Sequence, residues 1–235
     1  MYYDVVNVTL GLGGENEMGE ANRGEENMTG VARPLRIGDL APNFRARTTM
    51  GDVNLEQYRG RWLVFFSHPA DFTPVCTSEF VALARAAPRF EKLECALLGL
   101  SVDSLYAHLA WIRAIRDTFG LAIPFPVVED PSMAIGRAYG MIDENASDSA
   151  AVRASYFIDP EGVIRALTWY PMNVGRSVEE MVRLLTALQR TARGDVMTPE
   201  GWQPGGDLLL PPVQDGRAAL ESASAAWFYR TRKDT

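Results

Sequence analysis

The spacing of apolar residues changes character several times along this chain, and each change predicts an element. Residues 44–48 and 53–55 flank Met50-Gly51-Asp52, a pattern that predicts a hairpin. Residues 62–67 form an unbroken apolar run, as in a strand buried on both faces. Residues 78–93 carry Phe80, Leu83, Ala84, Ala87 and Phe90 at helical spacing. A second buried strand follows at 95–102. Residues 104–119 predict an amphipathic helix with Leu105, Leu109, Ile112 and Ile115 on one side and Gly120 as its stop. A short strand at 125–128 and a short helix at 131–139, opened by Asp130-Pro131, come next. Residues 154–158 and 163–170 read as a hairpin across Asp159-Pro160-Glu161-Gly162. A last helix at 178–193 carries Met181, Leu184, Leu185 and Leu188.

Strands alternating with helices predict an α/β domain, a central mixed sheet with helices on both faces. The closing antiparallel hairpin favours a thioredoxin-like fold over residues 34–193. Residues 1–33 read differently. From Gly11 to Gly30 the chain is rich in Gly, Glu and Asn and nearly lacks large apolar residues, so a disordered leader is expected. Met28 is an alternative start. Gly11–Gly14 lacks the strand–loop–helix context of a phosphate loop. Residues 194–235 are rich in Pro and Gly, then briefly helical from Asp215. Trp202, Leu208–Leu210, Trp227, Phe228 and Tyr229 give this extension more apolar area than a free tail carries. It is expected to pack on a partner subunit, with packing on its own chain as the alternative.

Composition narrows the function. Of 235 residues nearly half are hydrophobic, enough for a sizeable core. A net charge of −7 argues against nucleic acid and anionic membrane surfaces as partners. No apolar run reaches the ~20 residues of a membrane span, and the start is not a secretory signal, so a cytoplasmic protein is expected. Two cysteines, Cys76 and Cys95, are too few for a disulfide scaffold. His68 and His108 do not combine with them at a metal-ligand spacing, so no metal and no cofactor are expected.

The informative segment runs Ser67-His68-Pro69-Ala70-Asp71-Phe72-Thr73-Pro74-Val75-Cys76-Thr77-Ser78-Glu79-Phe80. It joins a buried strand to a helix. Thr73-Pro74 is a helix-start signal, in which Thr caps free N–H groups and Pro takes the first helical position. Cys76 then falls within the first turn, where backbone N–H groups and the helix dipole favour a thiolate, the nucleophilic form of cysteine. Spacing alone leaves a reactive and an inert Cys76 equally open.

Pro69, Thr73 and Cys76 match Pro-x-x-x-(Thr/Ser)-x-x-Cys, and the segment resembles the active-site signature of the peroxiredoxins, its 1-Cys branch most closely. Further stretches match in order: residues 99–104, Arg153 before Tyr156-Phe157-Ile158-Asp159, residues 170–176, residues 198–205 and Pro211-Pro212. The resemblance implies a thiol peroxidase acting on hydrogen peroxide and organic hydroperoxides. Cys76 would be the nucleophile that becomes a sulfenic acid. Arg153 would hold sulfur and peroxide oxygen, Thr73 would position the peroxide proton, and Pro69 would shield the thiolate. Arg176 would brace this network, Glu79 would orient one or both arginines, and His68 would hydrogen-bond the oxidised sulfur or the peroxide, with a backbone-satisfied core histidine as the alternative.

Cys95 follows the far end of a helix ~20 residues and ~30 Å long, whereas a disulfide needs Cα atoms within about 7 Å. A 1-Cys cycle with an external thiol reductant, thioredoxin-like, glutathione-like or of low molecular weight, is therefore expected, in a homo-oligomer, a dimer or ring of dimers. Three other readings compete. A ring-forming holdase chaperone is permitted by the apolar tail. A phospholipase, as in some animal members, would need a serine where Arg61 stands between Gly60 and Trp62. A disulfide oxidoreductase would need Cys-x-x-Cys, but Cys76 is followed by Thr77, Ser78 and Glu79.

Overall fold

The computed structural model describes residues 33–142, 149–221 and 225–234. The leader expected at 1–33 lies outside them except for Arg33. Two compact units divide the chain after Arg176.

The first unit is built on a seven-stranded mixed sheet. Its strands are β1 (Arg45–Thr48), β2 (Gly51–Asn54), β3 (Trp62–Ser67), β4 (Cys95–Ser101), β5 (Val127–Glu129), β6 (Arg153–Ile158) and β7 (Ile164–Tyr170), in the spatial order β2-β1-β5-β4-β3-β6-β7. The central β3, β4 and β5 run parallel, and β6 and β7 close one side antiparallel. Helices α1 (Pro74–Lys92), α2 (Leu105–Phe119) and the short α3 (Ala134–Ala138) connect them. This is the mixed α/β, thioredoxin-like arrangement expected from the alternation of elements.

Every residue of β3 is buried, because the sheet is covered on both faces. Its successive side chains point to opposite faces. Phe65 packs against Phe44 and Tyr139, at centroid distances of 5.3 and 4.8 Å. Phe66 turns the other way, to Phe80 of α1 and to Phe125. Burial of such rings is worth roughly 2–3 kcal/mol each against exposure, and this double-sided layer fixes where the end of β3 delivers the chain.

Local signals explain the element ends. Ser104 caps α2 through its hydroxyl, and Gly120 ends it in the left-handed region. Thr73 stands at the cap position of α1 with extended backbone, but its side chain makes no capping bond; its hydroxyl donates instead to the Ala70 carbonyl at 2.9 Å. The capping role expected of Thr73 is thus replaced by a turn within the preceding loop. Pro88 lies inside α1, where it withholds one N–H from the ladder.

The second unit contains α4 (Val178–Thr191), β8 (Leu208–Leu209), α5 (Gly216–Leu220) and β9 (Thr231–Arg232), the last pairing with β8. Trp202 and Leu208 are buried against Ala187 and Val196 of the same unit, while Phe228 and Tyr229 stay exposed.

Candidate active site

The parallel strand β3 ends at Ser67, and the chain then turns through Pro69–Phe72-type loop residues into α1. Ser67 closes this end by donating to the Val152 carbonyl at 2.5 Å and accepting from the Ala154 N–H at 3.2 Å. Phe72 adopts φ +58°, which costs a non-glycine residue about 1 kcal/mol and sets the corner before the helix. Pro74, Val75 and Cys76 are the first three residues of α1, so Cys76 lies in its first turn and is fully buried.

Two arginines converge on this turn. Arg153, the first residue of β6, brings Nη1 to 3.3 Å from Cys76 Sγ and to 2.8 Å from Glu79 Oε2. Its Nε and Nη2 both donate to the Met172 carbonyl, at 2.9 and 2.7 Å, so the guanidinium has little freedom to turn. Arg176 donates to Glu79 through its backbone N–H, Nε and Nη2, at 2.7, 3.0 and 2.8 Å. Its Nη1 reaches the Ala154 carbonyl and Ser155 Oγ.

Glu79 and both arginines are at most 8% exposed. Burial pushes the Glu79 carboxyl up, but the hydrogen bonds and charge of Arg176, with Arg153 behind it, more than offset this and hold it below its ordinary range. Two buried guanidinium cations against one carboxylate leave one positive charge unneutralised. A buried charge without a counterion is costly. The Cys76 sulfur is the group that Arg153 meets beyond Glu79, at the N-terminal turn of α1, where the helix dipole favours negative charge.

A second buried cluster adjoins this one. Asp71 Oδ1 lies 2.9 Å from His68 Nε2, and Oδ2 lies 2.8 Å from His108 Nδ1. These three donor groups lie within 4.8 Å of one another. They are the spacing at which a metal can be held, but each contact atom is already engaged in the two hydrogen bonds to Asp71. The grouping joins His68 and His108, which their separation in sequence did not suggest. The ring of His68 sits edge-on to Phe80 and against Trp111, at 4.8 and 5.2 Å. Trp111 in turn donates from Nε1 to Thr77 Oγ1, beside Cys76.

Of the residues singled out in the sequence, Cys76, Glu79, Arg153 and Arg176 therefore form one bonded network. His68 belongs to the adjoining cluster, bonded to a carboxylate rather than to backbone. Pro69, buried, and Thr73 lie on the loop between them. Asp71, His108 and the Met172 carbonyl were not singled out. Asp71 lies inside the signature segment, but His108 carries no local signal. Cys95 lies at the start of β4, beyond the far end of the 19-residue α1. Burial pushes its thiol up to about 12.

Comparison with known proteins places this geometry. The model of the AhpC/TSA family matches residues 37–167. A peroxiredoxin from Methanosarcina mazei is 42% identical over 214 residues, covering 85% of this chain and 98% of that protein. One from Aquifex aeolicus is 47% identical over 170 residues, 72% of this chain and 77% of that one. Among solved structures, the yeast mitochondrial 1-Cys peroxiredoxin superposes with a TM-score of 0.76 at 38% identity, covering 85% of this chain and all of that one. Peroxiredoxin 6 of Arenicola marina superposes with a TM-score of 0.75 at 28% identity, covering 85% and 98%.

Proposed function

Because this chain belongs to the AhpC/TSA family, the thiol-dependent peroxidases called peroxiredoxins, we propose that Cys76 is the residue that attacks the hydroperoxide. The observation that carries this reading is the contact of Arg153 Nη1 with Cys76 Sγ at 3.3 Å, in a buried network otherwise one negative charge short.

The thiolate attacks the hydroxyl oxygen of ROOH. The S–O bond forms as the O–O bond breaks, and the electron pair leaves on RO⁻, which takes up a proton to become ROH. Cys76 is left as the sulfenic acid. Negative charge moves from sulfur to oxygen in this step, and Arg153, fixed by the Met172 carbonyl and Glu79, is preorganised to follow it. Glu79 and Arg176 hold Arg153 in place. The Thr73 hydroxyl has its own hydrogen engaged with Ala70, so its oxygen is left as an acceptor for the peroxide proton. Pro69 shields the sulfur from water. His68 hydrogen-bonds the product on sulfur.

Reduction is assigned to external thiol. One thiol displaces water from the sulfenic acid to give a mixed disulfide, and a second regenerates Cys76. Cys95 takes no part, since about 28 Å of helix separates the two ends of α1. The yeast relative is described as resolved through glutathione and thioredoxin systems, and the same classes of reductant are proposed here. The chain is further assigned to a cytoplasmic homo-oligomer, with residues 34–193 as the peroxidase domain and residues 194–235 packing on a partner. The exposed Phe228 and Tyr229 support that packing, as does β7, an edge strand carrying the half-exposed Trp169.

Mass spectrometry after one equivalent of peroxide, combined with turnover of Cys76→Ser, tests the reading. We expect one added oxygen on Cys76, no bond to Cys95, and no turnover in the variant. Retained turnover in Cys76→Ser overturns the nucleophile; a Cys76–Cys95 disulfide overturns the external resolution.

A further inference from the structure

The apolar run of β3 ends on a polar residue. Ser67 is fully buried, and a hydroxyl in that position must find its partners on the chain around it. Those partners lie on either side of Arg153. The hydroxyl donates to the Val152 carbonyl at 2.5 Å and accepts from the Ala154 N–H at 3.2 Å. The antiparallel register of β3 with β6 pairs Phe66 with Ser155, and carried one step further it sets Ser67 opposite Ala154. The Ser67 side chain therefore bonds the backbone of the facing strand at the point where Arg153 begins it.

That backbone is bent. The Ala154 N–H also reaches the Val152 carbonyl, at 2.9 Å, which closes a γ-turn with Arg153 as its central residue. Arg153 keeps a negative φ, as in the inverse form common at strand ends. An i→i+2 bond is far from linear, so by itself it holds a turn weakly. The flanking groups have their own ties: the Val152 N–H donates to the Met141 carbonyl at 2.9 Å, and the Ala154 carbonyl accepts from Arg176 Nη1 at 2.8 Å. Ser67 braces the turn itself. Arg153 is thus held at both ends, its guanidinium by the Met172 carbonyl and Glu79 and its root by this turn.

We propose that Ser67 is a positioning residue for the peroxidase reaction, whose hydroxyl fixes the turn that carries Arg153 and so the approach of Nη1 to Cys76 Sγ. The inference rests on the reading that Cys76 attacks the peroxide with Arg153 beside it. Without the hydroxyl, residues 152–154 are free to straighten into ordinary strand, which swings the Arg153 side chain about the chain axis. A misplacement of about 1 Å in a group that acts on the transition state costs up to about 10²-fold in rate. Ser67→Ala leaves the Val152 carbonyl and the Ala154 N–H bonded to each other, so neither buried group is orphaned and the fold is expected to survive. What the variant loses is placement.

A double-mutant cycle with Arg153→Lys tests this, read as the rate at which peroxide oxidises Cys76 in the reduced full chain. We expect Ser67→Ala to slow oxidation roughly tenfold in the wild-type background, the worth of one hydrogen bond. In the Arg153→Lys background it should change the rate by less than about twofold, because the placement it disturbs no longer matters; a merely structural role would slow both alike. Thr48 supplies the control. Its buried hydroxyl also bridges a carbonyl and an N–H, those of Gly51 and Met50, at 2.6 and 3.0 Å, but on β1, which β5 and β4 separate from β3. Thr48→Val should be oxidised within about twofold of the wild-type rate. Equal slowing by Ser67→Ala in both backgrounds, no slowing in the wild-type background, or equal slowing by Thr48→Val each overturns the proposal. If Ser67→Ala does not fold, Ser67→Cys, close in volume but a weak donor, goes through the same cycle with the same expectations. Oxidation of Arg153→Lys at the wild-type rate, or turnover by Cys76→Ser, would instead sink the underlying reading and this proposal with it.

Discussion

Arg153 reaches Cys76 across 77 residues of chain, from the start of one strand to the first turn of a helix, and stops with Nη1 3.3 Å from Sγ. Its other donors are spent on one carbonyl and one carboxylate, which makes the approach a property of the fold and not of a side chain's preference.

That geometry predicts the cost of Arg153→Lys. Lysine keeps the charge but has a single donor head, so it cannot hold the Met172 carbonyl and the sulfur together. We expect oxidation of Cys76 by peroxide to slow by about 10²-fold, in line with loss of one preorganised donor. Stopped-flow fluorescence of the reduced protein measures it; a variant within threefold of wild type (roughly 0.6 kcal/mol) would remove Arg153 from the reaction.

Glu79→Gln should destabilise the protein by about 3 kcal/mol or more, since it strands two buried guanidinium groups. The wild type carries a matching pH signature. The folded Glu79 carboxyl titrates below its ordinary value of 4.5, so its contribution is complete above that value and is lost as pH falls through the lower folded one. Urea unfolding across the acid range should show stability falling in wild type, with a shallower fall in Glu79→Gln. Parallel curves would mean that folding leaves the Glu79 carboxyl at its ordinary value, and that the two arginines do not hold it down.

Cys95, with its thiol at about 12, should resist alkylation in the native protein at neutral pH. Timed iodoacetamide labelling followed by peptide mass mapping reads both cysteines separately. Cys95 should react only after unfolding, and Cys95→Ser should leave peroxide turnover unchanged. Fast native labelling of Cys95 would contradict its placement on β4.

Trp111→Phe keeps a ring against Phe80 and His68 but loses the bond from Nε1 to Thr77 Oγ1, 3.2 Å long. A loss of about 1 kcal/mol is expected, visible as a lower denaturation midpoint with an unchanged slope.

Much of this was legible in the sequence because burial leaves periodic traces. Strand β3 was read at its observed bounds, since six consecutive buried residues leave an unbroken apolar run. Gly120 marked the end of α2 through cap chemistry that acts over a few residues, whereas Ser104, read as helical, is its N-cap. The strands β8 and β9, two residues each, are too short to carry a period. Cys76, Glu79, Arg153 and Arg176 were legible through family resemblance, not through spacing. His108 was not, because its bond to Asp71 spans 37 residues and leaves no local pattern. The Met172 carbonyl was invisible for a different reason: every residue has one. Thr73 was given the wrong bond because a cap position does not dictate which oxygen its hydroxyl prefers.

Cys76 and Glu79 stand three residues apart on α1, one turn of the same helix. The sulfur and the clasp for both guanidinium groups are therefore mechanically a single part. A shift of that turn therefore moves the sulfur and the carboxylate together, and disturbs the Arg153 and Arg176 contacts in one motion.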